Sequence, residues 1–357
     1  MRTPLSDPQR VGPYRIVGRL GSGGMGWVYL GRSPTGRMVA VKVVRPELAM
    51  EPEFRDRFER EVDAARAVGG LFTAAVVDAD TRGDPPWLAT VYVPGPSLAE
   101  EVARNGPLPE PQVRLLGAGL AEALRAIHAA GVVHRDLKPS NVLLAPDGPR
   151  VIDFGISRML GAAGLTRSGI VLGTPAFMSP EQITGMMVGP SSDLFSLGGV
   201  LLFAATGGQP FPGGEGHLYR LVHGEPELDG APDGLRELIR RCLAKEPGDR
   251  PNLDDLLAEL LAEPGGSGSA SASDQDPAQG QGQGQAPMSS AEHALRAGGW
   301  PFPAVAETLR VHELPPPSGN AGTPGPTASC LTLHAQALLD AGLTGELIVE
   351  AMTRAGR

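Results

Sequence analysis

Eight consecutive residues, His134-Arg135-Asp136-Leu137-Lys138-Pro139-Ser140-Asn141, concentrate side chains that can do chemistry together. Asp136 can accept a proton from a hydroxyl, and Lys138, two residues on, can hold an anion. Asn141, five residues after the Asp, can offer its carbonyl oxygen to a hard cation. A proton acceptor, an anion clamp and a metal ligand together point to phosphoryl transfer. A second carboxylate, Asp153, follows the apolar pair Val151-Ile152 and precedes Phe154-Gly155, where it can bridge a metal to a phosphate. Lysine is scarce: of 31 basic residues only Lys42, Lys138 and Lys245 are lysines. A Lys is a compact point charge that sits beside a phosphate oxygen without the geometry an Arg fork demands. That marks Lys42 and Lys138 as candidates for an anion. Lys245 has no evident task, and a surface position is expected for it.

These residues need elements to hold them. Tyr14-Arg15-Ile16-Val17 reads as a strand and runs through Leu20 into Gly21-Ser22-Gly23-Gly24-Met25-Gly26, after which Trp27-Val28-Tyr29-Leu30 reads as a second strand. Glycines let the backbone approach a polyphosphate and present its N–H groups. A dinucleotide-binding turn would pass directly into a helix, so strand text after the glycines points away from it. Lys42 lies in the β-branched run Val39-Ala40-Val41-Lys42-Val43-Val44, where a charge is costly without a partner. Phe54, Phe58, Val62, Ala65 and Val68 recur at helical spacing over 53–68. Glu61, beside that stripe, is the expected partner of Lys42, with Glu59 the second choice. Strands are expected over 74–80 and 86–93. Pro94-Gly95-Pro96 then reads as a hinge, with Thr90 and the backbone of Val91 and Val93 facing a cleft. Helices are expected over 112–130, from Ser192, over 234–245 and over 252–262. A hairpin through Asp147-Gly148 links the opening motif to Asp153.

The totals exclude several classes. A net charge of −9 argues against a nucleic-acid binder. Cys242 and Cys330 are far apart and suggest no disulfide framework, so a reducing, cytoplasmic setting is expected. No secretory leader and no apolar run approaching ~20 residues is visible, so no membrane span is expected. Residues 264–289 are rich in Gly, Ser, Gln and Pro and read as a disordered linker, with 290–357 a weakly ordered tail of no recognised kind. Residues 1–11 read as a flexible N-terminus.

Taken in order, G-x-G-x-x-G-x-V, V-A-V-K, H-R-D-L-K-P-S-N and D-F-G resemble the signature set of the protein kinases, and the chain resembles a bacterial eukaryotic-like Ser/Thr protein kinase over about residues 12–262. The resemblance implies an α+β, bilobal fold over 12–263: a β-rich N-lobe with one helix over about 12–93 and a mainly helical C-lobe over about 97–263. It implies ATP held by Leu20, Gly21, Ser22, Gly23, Gly24, Met25, Gly26, Val28, Ala40, Lys42, Glu61, Thr90, Val91 and Val93. It implies Mg²⁺, with Mn²⁺ as a substitute, on Asn141 and Asp153, and catalysis by Asp136 and Lys138. Arg135 would meet a phosphate on the loop 153–181, at Thr166 or Ser168, and Thr174 would lie at the substrate site. His134 and Asp193 would be architectural, and Glu181 would pair with Arg250. Protein substrates bearing Ser or Thr, and a homodimer for autophosphorylation in trans, are the partners implied. An ATP-binding scaffold without activity, and a kinase for small molecules, are the rival readings.

Overall fold

The β-branched and aromatic runs of the first ninety residues can bury their apolar face only by pairing, and they do so in one antiparallel sheet. The computed structural model describes residues 7–153, 175–214 and 216–262. Its first six strands are β1 (Arg10–Val11), β2 (Tyr14–Ser22), β3 (Gly26–Arg32), β4 (Met38–Val44), β5 (Val76–Asp80) and β6 (Trp87–Val91), in the order β1-β2-β3-β4-β6-β5. The period of two sorts β4 cleanly. Val39, Val41 and Val43 pack into one apolar layer with Tyr14, Tyr29 and Trp87. Ala40 and Lys42 lie on the opposite face, where Lys42 is directly across from Val28 and Ala40 from Thr90.

The helical stripe folds as its spacing predicts. Helices α1 (Pro46–Ala49) and α2 (Pro52–Ala67) follow β4. Phe54, Phe58, Val62 and Ala65 of α2 are all at most 1% exposed, the first three packing with Met25, Val44 and Leu88. The N-terminus differs from expectation. Arg10–Val11 is not frayed but pairs with Arg15 and Tyr14, because Val11 is buried in the same apolar layer as Tyr14 and Trp87.

After β6 the chain passes Pro94-Gly95-Pro96. Gly95 adopts φ +136°, and a Cβ there would stand 2.2 Å from the carbonyl oxygen of Leu144, so only glycine fits. Helices α3 (Leu98–Asn105) and α4 (Glu110–Ala129) follow. Ser97 and Glu100 close a capping box on α3 that the Ser-x-x-Glu spacing announces. The hairpin β7 (Val142–Ala145) and β8 (Gly148–Val151) comes next. Helices α5 (Pro180–Thr184), α6 (Pro190–Thr206), α7 (His217–His223), α8 (Asp233–Cys242) and α9 (Leu253–Leu261) complete the C-lobe. Helix α6 is apolar around most of its circumference and is accordingly buried almost throughout. The two lobes are stitched beside the site: Val151 donates to Phe72 O at 2.8 Å and Ala74 donates to Val151 O at 3.1 Å.

Lys245 departs from its expected surface place. It is half-buried, with Nζ donating to Leu221 O at 2.6 Å and lying 3.8 Å from the centroid of the Phe211 ring. Cys242 is a buried free thiol, while Cys330, the linker and the tail lie outside the described residues. No helix among the described residues is long and apolar enough to cross a membrane.

Candidate active site

The segment between α4 and β7 has little regular structure, so side chains must hold its backbone. Asp193, fully buried on α6, accepts from the backbone N–H groups of His134 and Arg135, both at 2.8 Å, and contacts His128 Nε2 at 2.7 Å. Arg135 can then take its strained φ of +66°. Gln182 of α5 donates to Arg135 O at 2.7 Å. The architectural expectation for His134 holds. It is fully buried, and its Nδ1 accepts from the Asp136 backbone N–H at 3.2 Å. A backbone N–H can only donate, so Nδ1 is unprotonated and the ring neutral. Burial lowers the His134 pKa, in the same sense, against the nearby Asp193 and Asp136 charges.

That scaffold presents the reactive trio. Lys138 Nζ donates to Asp136 Oδ2 at 2.7 Å, and Asn141 Nδ2 donates to the same oxygen at 3.1 Å and to Asp136 O at 2.8 Å. Asp136 Oδ1 makes no hydrogen bond among the described residues. One oxygen is therefore anchored and the other is left to accept a proton. With the amide of Asn141 facing Asp136, its carbonyl oxygen is left for a cation. Ile152 donates to Asn141 O at 3.0 Å, which brings Asp153 alongside.

Lys42 differs from expectation in its partner. Its Nζ lies 2.9 Å from Asp153 Oδ2, and no ion pair within 4.0 Å joins it to Glu61 or Glu59 among the described residues. Glu59 instead meets Arg82 at 3.1 Å. The left-handed φ of Asp153, +61°, turns its carboxylate onto the lysine. Burial alone would raise the Asp153 carboxyl, but the Lys42 ammonium in contact with it, with Lys138 nearby, more than offsets it and holds the group below its ordinary value.

Val28, Ala40, Lys42 and Thr90 are half-buried on one face of the sheet, beneath the Gly21–Gly26 turn. A Cβ on Gly21 or Gly23 would meet nothing within 4 Å, so a phosphate can approach the backbone there. Leu20 is 37% exposed at the rim. The Val91 N–H is not available to a ligand, because it donates to Ala75 O at 2.9 Å as part of the sheet. The Val93 N–H meets no acceptor among the described residues. Met25 turns inward and is buried against α2. Thr166, Ser168 and Thr174, with Phe154 and Gly155, lie outside the described residues.

Sequence reasoning passed over Gln182 and His128. Their only signal is position, on helices whose faces meet the catalytic loop. The expected Glu181–Arg250 pair is present and bidentate, at 2.7 and 2.9 Å.

Comparison with known proteins agrees with this geometry. The family model described as the protein kinase domain matches residues 14–261. The chain is 56% identical over 262 residues to the probable serine/threonine-protein kinase PkwA of Thermomonospora curvata, covering 73% of this chain and 35% of that protein. It is 56% identical over 264 residues to serine/threonine-protein kinase AfsK of Streptomyces coelicolor, covering 73% and 33%. The chain thus spans about a third of the length of the curated relatives it matches. Among solved structures it resembles the Mycobacterium tuberculosis PknI kinase domain, with a TM-score of 0.58, 27% identity, and coverage of 72% of this chain and 100% of that one. A bilobal fold, a matching catalytic loop and relatives of this similarity place the chain in the protein kinase family.

Proposed function

We propose that the chain is an ATP-dependent protein serine/threonine kinase that phosphorylates protein substrates and its own loop at Thr166 and Ser168. The observation that carries the reading is the Asp136 carboxylate, with Oδ2 fixed by Lys138 and Asn141 and Oδ1 uncommitted. Oδ1 takes the proton of a substrate Ser or Thr hydroxyl as that oxygen bonds to the γ-phosphorus of ATP. The bond from the γ-phosphorus to the β,γ-bridging oxygen breaks, and ADP leaves with its electrons. Lys138 neutralises charge on the transferring group, and Lys42 does so over the other phosphates. The adenine edge would use the Val93 N–H, and the Gly21–Gly26 turn would cover the phosphates. Asn141 and Asp153 would hold Mg²⁺, with Mn²⁺ as a substitute. Two protein oxygen donors suit an ion that keeps several waters and phosphate oxygens. When bound, the ion offsets phosphate charge. ATP and reduced thiols suit the cytoplasm, and a transient homodimer suits autophosphorylation in trans.

The test is transfer from radiolabelled ATP to a generic protein substrate by wild type and Asp136→Asn, followed by phosphoamino-acid analysis. Wild type is expected to label Ser or Thr, and the variant to be slower by roughly 10²–10⁴-fold. Phosphopeptides from the wild type should map to Thr166 and Ser168. Equal transfer by the two proteins would overturn the reading in favour of an ATP-binding scaffold.

A further inference from the structure

One arginine outside the expected site gathers the whole glycine turn. Arg45 follows β4, three residues after Lys42. Its backbone N–H donates to Met25 O at 2.8 Å. Its guanidinium donates to Gly23 O through Nε at 3.3 Å and Nη2 at 3.1 Å. The same group stacks on the Trp27 ring, 5.2 Å from its centroid. Trp27 packs with Tyr29, Val41 and Val43, on the face of the sheet opposite Lys42. The arginine therefore braces the turn from behind and does not compete for the phosphate.

The rest of the turn is equally constrained. Gly23 and Gly26 exchange backbone hydrogen bonds at 2.9 and 3.3 Å around Gly24-Met25. A Cβ on Gly26 would stand 1.8 Å from Val43 O, so the turn lies flush on β4. The Met25 side chain is buried with Phe54, Phe58 and Leu88. A trans peptide unit directs its N–H opposite its C=O. Anchoring the Gly23 carbonyl on Arg45 therefore fixes the Gly24 N–H pointing away from Arg45, where it meets no acceptor among the described residues. A pre-aimed donor binds an anion without first losing conformational freedom, and glycine has the most to lose.

We propose that Arg45 is a positioning residue for the nucleotide's polyphosphate: it clamps the Gly23 carbonyl against Trp27 and so aims the backbone donors of the glycine turn. The proposal rests on the reading that ATP binds beneath that turn. It separates phosphate recognition from adenine recognition, because Arg45 touches the turn and no residue of the Thr90–Val93 segment.

Affinities of the full chain for MgADP and for adenosine, by calorimetry, distinguish these. Arg45→Met is expected to weaken MgADP about tenfold, the loss of a charge-assisted bond, while adenosine binding stays within twofold of wild type. Arg45→Lys keeps the charge but not the fork, and is expected to lose MgADP affinity to an intermediate degree with adenosine again unchanged. It also serves as the reporter if Arg45→Met does not fold. Trp27→Leu removes the stacking ring and should give a smaller loss in the same direction. If the folded Arg45 variants bind MgADP as wild type does, or lose MgADP and adenosine together, the positioning role is overturned. Wild type that binds neither MgADP nor ATP would instead overturn the nucleotide reading, and this proposal with it.

Discussion

Two clusters of charge, one within the C-lobe and one in the cleft, solve opposite problems. Arg250 and Glu181 are 0% and 4% exposed, and every guanidinium N–H is used: Nε on Ala244 O, Nη1 on Glu181 and Ser191 O, Nη2 on Glu181 and Lys245 O. Ser192 donates to Glu181 Oε1 at 2.5 Å. The cleft cluster is looser. Lys138 and Asp136 are 23% and 28% exposed, Lys42 and Asp153 17% and 37%, and one Asp136 oxygen makes no hydrogen bond among the described residues. The buried cluster is closed because any unmet donor there would cost the fold directly. The cleft is left open, as the proposed transfer requires of a place where a substrate completes the contacts.

Breaking the closed cluster is expected to have the largest effect on stability. Arg250→Met leaves the Glu181 carboxylate buried without its counter-ion, which costs about 3–5 kcal/mol in urea unfolding. Adding Glu181→Leu should recover much of that loss, since an apolar pair of similar volume has no charge to desolvate. A double variant as unstable as the single one would show that the hydrogen bonds to Ser191, Ala244 and Lys245, rather than the charge, hold this region. Burial alone would raise the Glu181 carboxyl, but the Arg250 and Ser192 bonds hold it below its ordinary value. Its contribution is therefore present above the ordinary Glu range and is lost as pH falls through the depressed value.

Asp193 is intermediate, since it is buried like Glu181 yet serves the cleft. Asp193→Asn keeps the shape but swaps an acceptor for a donor facing the His134 and Arg135 N–H groups. About 1–3 kcal/mol of stability should be lost, together with phosphoryl transfer, because the strained Arg135 backbone loses its anchor. Retained transfer with lowered stability would mean that Gln182 alone suffices to hold the loop. In the open cluster, Asp136→Asn is expected to shift urea unfolding by less than about 1 kcal/mol, whatever it does to transfer, since a partly exposed pair with one oxygen facing solvent adds little to stability. A loss comparable with that of Arg250→Met would erase the distinction between the clusters.

Much of the cleft could be read from the chain itself, because the residue types that would serve the proposed phosphoryl transfer lie at short spacings. Asp136, Lys138 and Asn141 lie within one loop, and the α2 stripe and the alternation of β4 follow from helical and strand periods. The Glu181–Arg250 pair, 69 residues apart in sequence, was legible only through the family resemblance. What escaped depends on tertiary approach. Nothing in the text around Arg45 says that its guanidinium turns back onto Gly23, or that Lys42 takes Asp153 rather than Glu61. That the Val91 N–H is committed to Ala75 O depends likewise on how two distant segments pair, which a single sequence does not give.

Lys245 was the plainest misreading, and it gives the gentlest test of the comparison. A lone Lys after an amphipathic helix looks like surface, but the chain folds it against Phe211 and the end of α7. It sits between the clusters in character, cationic like Arg250 yet with no bonded carboxylate among the described residues, with Glu225 the nearby acid and Arg250 a like charge. Burial is the main cause that lowers its ammonium to about 8, and Arg250 adds to the shift while Glu225 opposes it. A lysine with a depressed folded pKa carries a penalty below that value, where both states are charged. Between about 8 and the ordinary 10.5 the unfolded chain binds the extra proton, so stability rises with pH. Wild type should therefore gain on Lys245→Met as urea unfolding is repeated from pH 7.5 towards pH 10. A constant difference across the range would mean that the Phe211 ring face and the Leu221 carbonyl favour the ammonium enough to cancel its desolvation, making Lys245 a third closed charge rather than an unresolved one.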